Sequence, residues 1–442
     1  MLHKNLTVNE KGHLEISGCD AVELAKNYGT PLYVMDESLI RENCRIYKNE
    51  LYSLHPDSGV IYAAKAFITM SMCKIVEEEG LFLDVVSGGE LYTAIKAGFP
   101  LDRVYFHGNN KSYEELKMAL EHRVGHIVVD NFYELEMLSS LTRKLKKKAN
   151  VLLRITPGIE AHTHDYIKTG QIDSKFGFSL ENGMAMAAVE KALNIKGVKL
   201  VGFHCHIGSQ IFESEPFALT AEVMMKFVNS VKERYGFETS QLDFGGGFGI
   251  KYTEDDKPLH PREYLKALVE TVKKWANELN VTVPRIMIEP GRAIVGPAGV
   301  TLYTIGAIKD IPNVRKYVCV DGGMSDNIRP ALYGAKYTAI IANKANKPPK
   351  EVVSIAGKCC ESGDMLIWDI KLPEVESGDV LAVLSTGAYH YSMASNYNMI
   401  PRPAIVFVRD GVSWLSVKRE TYEDLLKNEI FEEEEEVASY VL

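Results

Sequence analysis

GVIYAA (59–64), LFLDVV (81–86), RVYFHG (103–108), HIVVDN (126–131), VLLRITP (151–157), LVGFHCHIG (200–208), QLDFGGG (241–247) and RIMIEPG (285–291) are eight short β-rich runs in a chain of 442 residues. Between them lie stretches of helical period, among them SYEELKMALEHR (112–123), NFYELEMLSSLTRKLKKK (131–148) and EPFALTAEVMMKFVNSVKERY (215–235). A further such stretch, ESLIRENCRIYKNELYSL (37–54), precedes the first run. Strands that alternate with helices pack as a parallel sheet with helices outside it. Eight of them predict an α/β fold of the (β/α)8 TIM-like barrel kind, whose active site is built from loops at the strand C-termini. A doubly wound open sheet is the alternative, and the count of runs alone does not exclude it. The strand ends favour the barrel, because nearly all carry a reactive or anion-binding group: Lys65, Asp84 with Ser87, His107, Asp130, Arg154, His206, the triple glycine 245–247, and Glu289 with Arg292.

Past residue 300 the pattern changes. VTLYTIGAIKD, RKYVCVDGG, EVVSIAGKC, DVLAVLS, AIVFVRDG and VSWLSVKR are β-rich runs divided by Gly, Pro and Asp turns, with no long helical period among them. They predict a second, all-β domain of Greek-key or β-barrel-like form. The strand-like HLEISG and TPLYVMD near the start are expected to complete it. The expected division is therefore a barrel over 37–300 and a β-domain made of 1–36 plus 301–442. RKLKKK (143–148) reads as the solvated last turn of a helix, and EEEEE (432–436) as a solvated helix end or tail.

Composition narrows the function classes. The chain is 46% hydrophobic and 25% charged, an ordinary globular mix, with a net charge of −9. That balance offers no global field for nucleic acid or anionic lipid. No apolar run approaches the ~20 residues of a bilayer span, and the opening MLHKNLTVNEKGHLEIS lacks the charged and apolar regions of a signal peptide. Seven cysteines without CxxC spacing predict neither a disulfide framework nor a zinc site. Thiols in a reducing cytoplasm are the expectation.

Lys65, in IYAAKAF, follows small and apolar residues at a strand end, where a lysine is unusual. A lysine snorkelling at the rim is the ordinary reading. The functional one is a Schiff-base lysine, whose amine becomes nucleophilic when desolvation lowers its pKa. In DFGGGFGIKY (243–252) the glycines lack dinucleotide spacing, but consecutive glycines can cradle a phosphate. Barrels often bind phosphate after strands seven and eight, where Arg292 of EPGR and Ser209 of HIGSQ would join it. A phosphate seat with a strand-one lysine points to pyridoxal 5′-phosphate. Glu289 could then hold the pyridine nitrogen protonated, making the ring an electron sink, where otherwise it would be a rim carboxylate paired with Arg292. His206 could stack on the ring, or be a satisfied core histidine. His204 is expected to face the other side of the strand, only one of the two pointing inward. In the second domain SDNIRPALYGA (325–335) offers Arg329 and Tyr333 to a substrate carboxylate. CCESGD (359–364) sets a thiol beside a carboxylate, and STGAYHYSMASNYN (385–398) is too irregular for a plain strand.

YAAKAF, HIGSQ, GGGFG, EPGR, SDNIRPALY, CESGD and GAY occur in the order found in diaminopimelate decarboxylases, of the alanine-racemase-like group of pyridoxal enzymes. The chain resembles that family from about residue 30 to 405. The resemblance implies Lys65 as the Schiff-base lysine, His206 stacking on the ring, and Asp84 and Arg154 near the ring and its O3′ side. It implies Ser209, Gly245, Gly246 and Gly247 at the phosphate, with Pro290, Gly291 and Arg292 alongside and Glu289 on the pyridine nitrogen. Tyr389 would touch both phosphate and substrate. Cys360 would return a proton after CO2 leaves, and Arg329, Tyr333 and Glu361, with Arg292, would recognise the substrate. Cys360 and Glu361 would come from the partner chain of a homodimer with shared sites. The implied reaction is decarboxylation of meso-diaminopimelate to L-lysine, the last step of lysine biosynthesis. A decarboxylase of D-lysine, D-ornithine or another basic amino acid is the alternative. An amino-acid racemase is disfavoured by the carboxylate at 289, an inactive regulatory homologue by the retained Lys65 and glycines, and an oxidoreductase by the missing fingerprint.

Overall fold

The computed structural model of the protein describes residues 5–159 and 174–431, so the acidic run at 432–436 lies outside the described residues. Each of the eight runs is a strand: Ser58–Ala63, Phe82–Val85, Val104–Phe106, His126–Val129, Ala149–Thr156, Val198–His204, Gln241–Asp243 and Arg285–Ile288. Each pairs in parallel with the next, and the last returns to the first with Ile288 opposite Val60. The ring of strands is closed, which decides against the open sheet. A short strand, Phe178–Ser179, adds to the outside of the fifth.

The helices begin where polar residues cap them. Ser87, Ser112 and Asn131 each follow a barrel strand and accept from a backbone N–H two or three residues into the next helix. Ser87 is thereby spent as a cap to Glu90. The RKLKKK run is the exposed end of the helix Phe132–Leu145, as its charge pattern predicts. Inside the barrel, Ile61, Tyr105, Val128, Leu152, Val201 and Met287 form one buried apolar cluster, with Phe82 packed against it. This plug makes the barrel a packed core rather than a pore.

The second, mostly β domain is organised around Gly299–Ile311, a strand of 13 residues. It pairs antiparallel with Leu32–Asp36 from near the chain start, which also lies parallel to Ala404–Arg409. The N-terminal TPLYVMD thus completes this sheet, as its pattern predicts. Two elements escape the sequence reading. Met365–Leu372 is a full strand beside Glu351–Ala356, and Arg329–Tyr333 is a short helix closed by Gly334 in the left-handed region.

Candidate active site

Above the apolar plug the inward positions turn polar. Strand side chains repeat every two residues on one face. Two positions beyond Phe82, Tyr105, Val128, Leu152 and Met287 stand Asp84, His107, Asp130, Arg154 and Glu289. His204 and Asp243 end the two strands between. Glu289 is at the centre of this ring. Its Oε1 is 2.7 Å from His107 Nε2 and its Oε2 is 3.4 Å from His204 Nε2, all three being buried. Burial pushes the Glu289 carboxyl up, but the two imidazoles outweigh it and hold it well below its usual range. Burial and that neighbouring carboxylate push Asp243 well above its own. The pair therefore keeps Glu289 ionised and the proton on Asp243. Glu289 does not pair with Arg292.

Three hollows share Lys65 and His206 as walls. The largest, about 600 Å3, is also lined by Ser209, Tyr252, Arg292, Arg329, Tyr333 and Tyr389. A second runs inward past His107, Arg154, His204 and Glu289. The third is narrow and bounded by Ser209, Gly246, Gly247, Pro290, Gly291 and Arg292. His206 and His204 both face these hollows. The expectation that they diverge is incorrect, because residues i and i+2 share a face. Burial drives His206 well below its ordinary value and His204 down to about 3, so both rings are neutral.

Lys65 departs from expectation in another way. Burial would lower its pKa, but Asp84, Tyr389 and Glu289 outweigh burial and hold the ammonium above its usual range. Neither Asp84 oxygen has a hydrogen-bond partner among the described residues, although the side chain is fully buried. Arg154 lies 4.3 Å over the Phe176 ring and 3.9 Å from Asp130; burial pulls it below its usual range. Gly245 has φ +66, and a side chain there would strike the His206 ring at 2.7 Å. An amine in a hollow, orphaned carboxylate oxygens and a glycine seat beside Arg292 fit a phosphorylated aldehyde cofactor such as pyridoxal phosphate.

A second charged group reaches the hollow from outside the barrel ring. Arg292 donates to Ser209 Oγ at 2.8 Å and to the Tyr252 hydroxyl at 2.6 Å. Arg329 donates to the same Tyr252 oxygen at 2.7 Å. Both guanidiniums are buried, and among the described residues neither has a carboxylate within 4 Å. Tyr389, at φ +62, packs under both, 4.7 Å from Arg292 and 5.9 Å from Arg329.

Residues 37–296 match the family model of the pyridoxal binding domain of pyridoxal-dependent decarboxylases. The diaminopimelate decarboxylase of Bacillus subtilis is 59% identical over 426 residues, covering 96% of this chain and 97% of that one. The chain belongs to the diaminopimelate decarboxylase family. It is a pyridoxal phosphate-dependent lyase. The M. jannaschii diaminopimelate decarboxylase in complex with L-lysine has a TM-score of 0.92 at 39% identity, covering 98% of this chain and 99% of that one. The Helicobacter pylori diaminopimelate decarboxylase, also complexed with L-lysine, has a TM-score of 0.83 at 32% identity, covering 92% and 98%.

Among the residues singled out by this family's motifs, Cys360 and Glu361 stand apart. Both are exposed and neither walls any of the three hollows of their own chain. Their loop is anchored by Asp364, which accepts from the N–H groups of Cys359 at 2.7 Å and Met324 at 2.6 Å. Cys359 is buried at that anchor, whereas Cys360 faces outward with its N–H on Asn398. The two adjacent thiols are thus separated by location. All seven cysteines are free, and no helix among the described residues is long and apolar enough to cross a membrane.

Sequence reasoning missed Asp243 and Tyr252 and gave His204 the wrong direction. His204 and Asp243 follow from counting by two along the strands, as does the inward aim of His107. Tyr252 has no such signal. It lies in the quoted GGGFGIKY but meets its partners 40 and 77 positions away.

Proposed function

We propose that this protein decarboxylates meso-2,6-diaminopimelate to L-lysine and CO2 in the reducing cytoplasm, where free thiols persist. The observation that carries the reading is Arg329, a buried guanidinium beside the Lys65 hollow with no carboxylate partner among the described residues. A buried cation without an anion is costly. A substrate with a second carboxylate supplies the missing charge, by a bidentate pair suited to guanidinium. L-Lysine and L-ornithine have only an amine at that end.

Lys65 would hold the cofactor covalently, His206 would stack on its ring and Asp84 with Arg154 would stand near the ring and its O3′ side. Ser209 and Gly245, Gly246 and Gly247, with Pro290, Gly291, Arg292 and Tyr389, would hold its phosphate. When bound, pyridoxal phosphate supplies an electron sink for the charge left as CO2 departs. Glu289, held in its ionised form beside His107 and His204, would keep the ring nitrogen protonated, which sustains that sink. Arg292, Arg329, Tyr333 and Tyr389 orient the substrate, and Glu361 takes the distal ammonium. Cys360 returns a proton to the carbon that has lost CO2.

In this reading Cys360 and Glu361 act on the partner's site in a homodimer, which accounts for their exposure and distance from their own hollows. Mixing and reassociating inactive Lys65→Ala and Cys360→Ala chains is then expected to restore about a quarter of wild-type activity, because half of the random dimers carry one intact site. Failure to regain activity in verified mixed dimers would place Cys360 in its own chain's site. For the substrate, CO2 release is measured with meso-diaminopimelate, L-lysine, L-ornithine and D-lysine. Turnover of the first alone is the expected result. Comparable turnover of D-lysine or L-ornithine overturns the assignment.

A further inference from the structure

Tyr252 has no role in the reading above, yet it is the hub of the charged wall. The phenol is 6% exposed and its oxygen receives one N–H from each arginine, Arg292 Nη1 and Arg329 Nη1. A phenol oxygen has two lone pairs, and the two guanidiniums take both. Burial pushes the phenol up, but the two cations more than offset it and draw it below its usual range. The ring cannot swing away. Tyr337 packs edge-on at 5.3 Å, and the Tyr252 N–H is tied to Asp256 at 2.9 Å.

This arrangement decides which edge of Arg329 is offered. With one Nη1–H taken by Tyr252, the parallel N–H pair on Nε and Nη2 is untouched by that bond, and Nε is buried without a hydrogen-bond partner among the described residues. That edge is the fork that grips a carboxylate with two parallel bonds. The rings of Tyr252, Tyr333 and Tyr389 surround the guanidinium with centroids at 5.2, 5.8 and 5.9 Å, but a ring face offers no directed acceptor that sets its rotation. The Tyr252 oxygen does.

We propose that Tyr252 is a specificity-positioning residue, which fixes the spacing and orientation of Arg292 and Arg329 so that the Nε–Nη2 edge of Arg329 meets the distal carboxylate of an amino-dicarboxylate substrate. The proposal rests on the assignment of Arg329 to that carboxylate. It predicts a selective loss. Loss of CO2 from the carbon held at Lys65 leaves the distal carboxylate on L-lysine, so substrate and product both use the edge that Tyr252 presents, whereas a diamine such as cadaverine, with no carboxylate, does not.

The experiment compares holoenzymes of wild type, Tyr252→Phe, Arg329→Gln and the double variant. Phenylalanine keeps the ring against Tyr337 and removes only the oxygen. For Tyr252→Phe the expected result is a KM for meso-diaminopimelate raised about 10- to 50-fold, as befits loss of a hydrogen bond to charged groups. Its kcat is expected to stay within about threefold and inhibition by the diamine cadaverine within about twofold, because cadaverine has no distal carboxylate, while inhibition by L-lysine, which keeps that carboxylate, weakens in parallel with KM. On the Arg329→Gln background the same change is expected to add little, since its effect passes through Arg329. Cofactor absorbance and the thermal midpoint show whether the variant is folded and loaded. If Arg329→Gln raises KM but Tyr252→Phe does not, or if Tyr252→Phe weakens cadaverine equally, the positioning role is overturned. If Arg329→Gln itself leaves KM unchanged, the substrate reading fails first. A damaged Tyr252→Phe fold, seen as a lowered midpoint, is resolved by the ratio of the KM for meso-diaminopimelate to the inhibition constant of cadaverine, which only a positioning role shifts.

Discussion

Lys65→Ala is expected to lower turnover by on the order of 10⁴-fold or more, the loss expected when a covalent nucleophile is removed. The dialysed protein is also expected to lack the absorbance of a cofactor joined to lysine. The physical ground is the placement of the amine. Lys65 ends the first barrel strand, opens onto all three hollows and stands among Asp84, Tyr389 and Glu289. Those charges keep it protonated until a reactive carbonyl arrives, and the unpartnered Asp84 carboxylate lies near to balance the charge. Lys65→Arg separates charge from nucleophilicity. It keeps a cation among the same carboxylates but cannot be deprotonated, so it is expected to be equally inactive. Borohydride reduction followed by mass spectrometry gives a readout independent of turnover. Cofactor mass should appear on the Lys65 peptide of wild type and on no peptide of either variant. A trapped adduct on another lysine in Lys65→Ala would reassign the residue.

Arg329→Gln is expected to raise KM for meso-diaminopimelate by on the order of 10²- to 10³-fold, the range for removing one member of a buried charge pair. Glutamine retains hydrogen bonding and most of the volume, so the loss reports charge and the fork geometry. The variant also relieves an unpaired buried cation in the ligand-free protein. Its thermal midpoint without substrate is therefore expected to be unchanged or raised, opposite in sign to the effect on binding. Steady-state kinetics and thermal unfolding check the two halves separately. A variant that loses stability and binding together would mark Arg329 as a structural cation.

The parts of the molecule legible in its sequence are those set by local period. The eight barrel strands and the helices between them announce themselves through alternation, and the helices begin at Ser112 and Asn131 because those residues satisfy exposed N–H groups. Lys65, Glu289 and the glycines are legible because each stands at a strand end, which places it at one rim. Contacts made across the fold are less visible. Nothing in GIKY tells that Tyr252 meets Arg329, and nothing in MLIWDIKL distinguishes an edge strand from a loop before its neighbour Glu351–Ala356 is in place. The direction of His204 does have a local signal, since two steps along a strand return to the same side. Burial alone predicts a lowered lysine pKa, whereas Asp84, with Tyr389 and Glu289, raises it.

The apolar plug and the polar ring above it are adjacent levels of one set of strands, offset by two residues. Met287 serves the plug and Glu289 the ring, and Leu152 and Arg154 divide in the same way. Selection can therefore act on the two levels almost independently. A change at the lower level alters whether a chain of this kind survives as a folded object, and a change at the upper level alters which reaction it performs. A lineage can explore new chemistry at the rim while its scaffold is inherited intact, and the ring positions are where divergence of activity is to be sought.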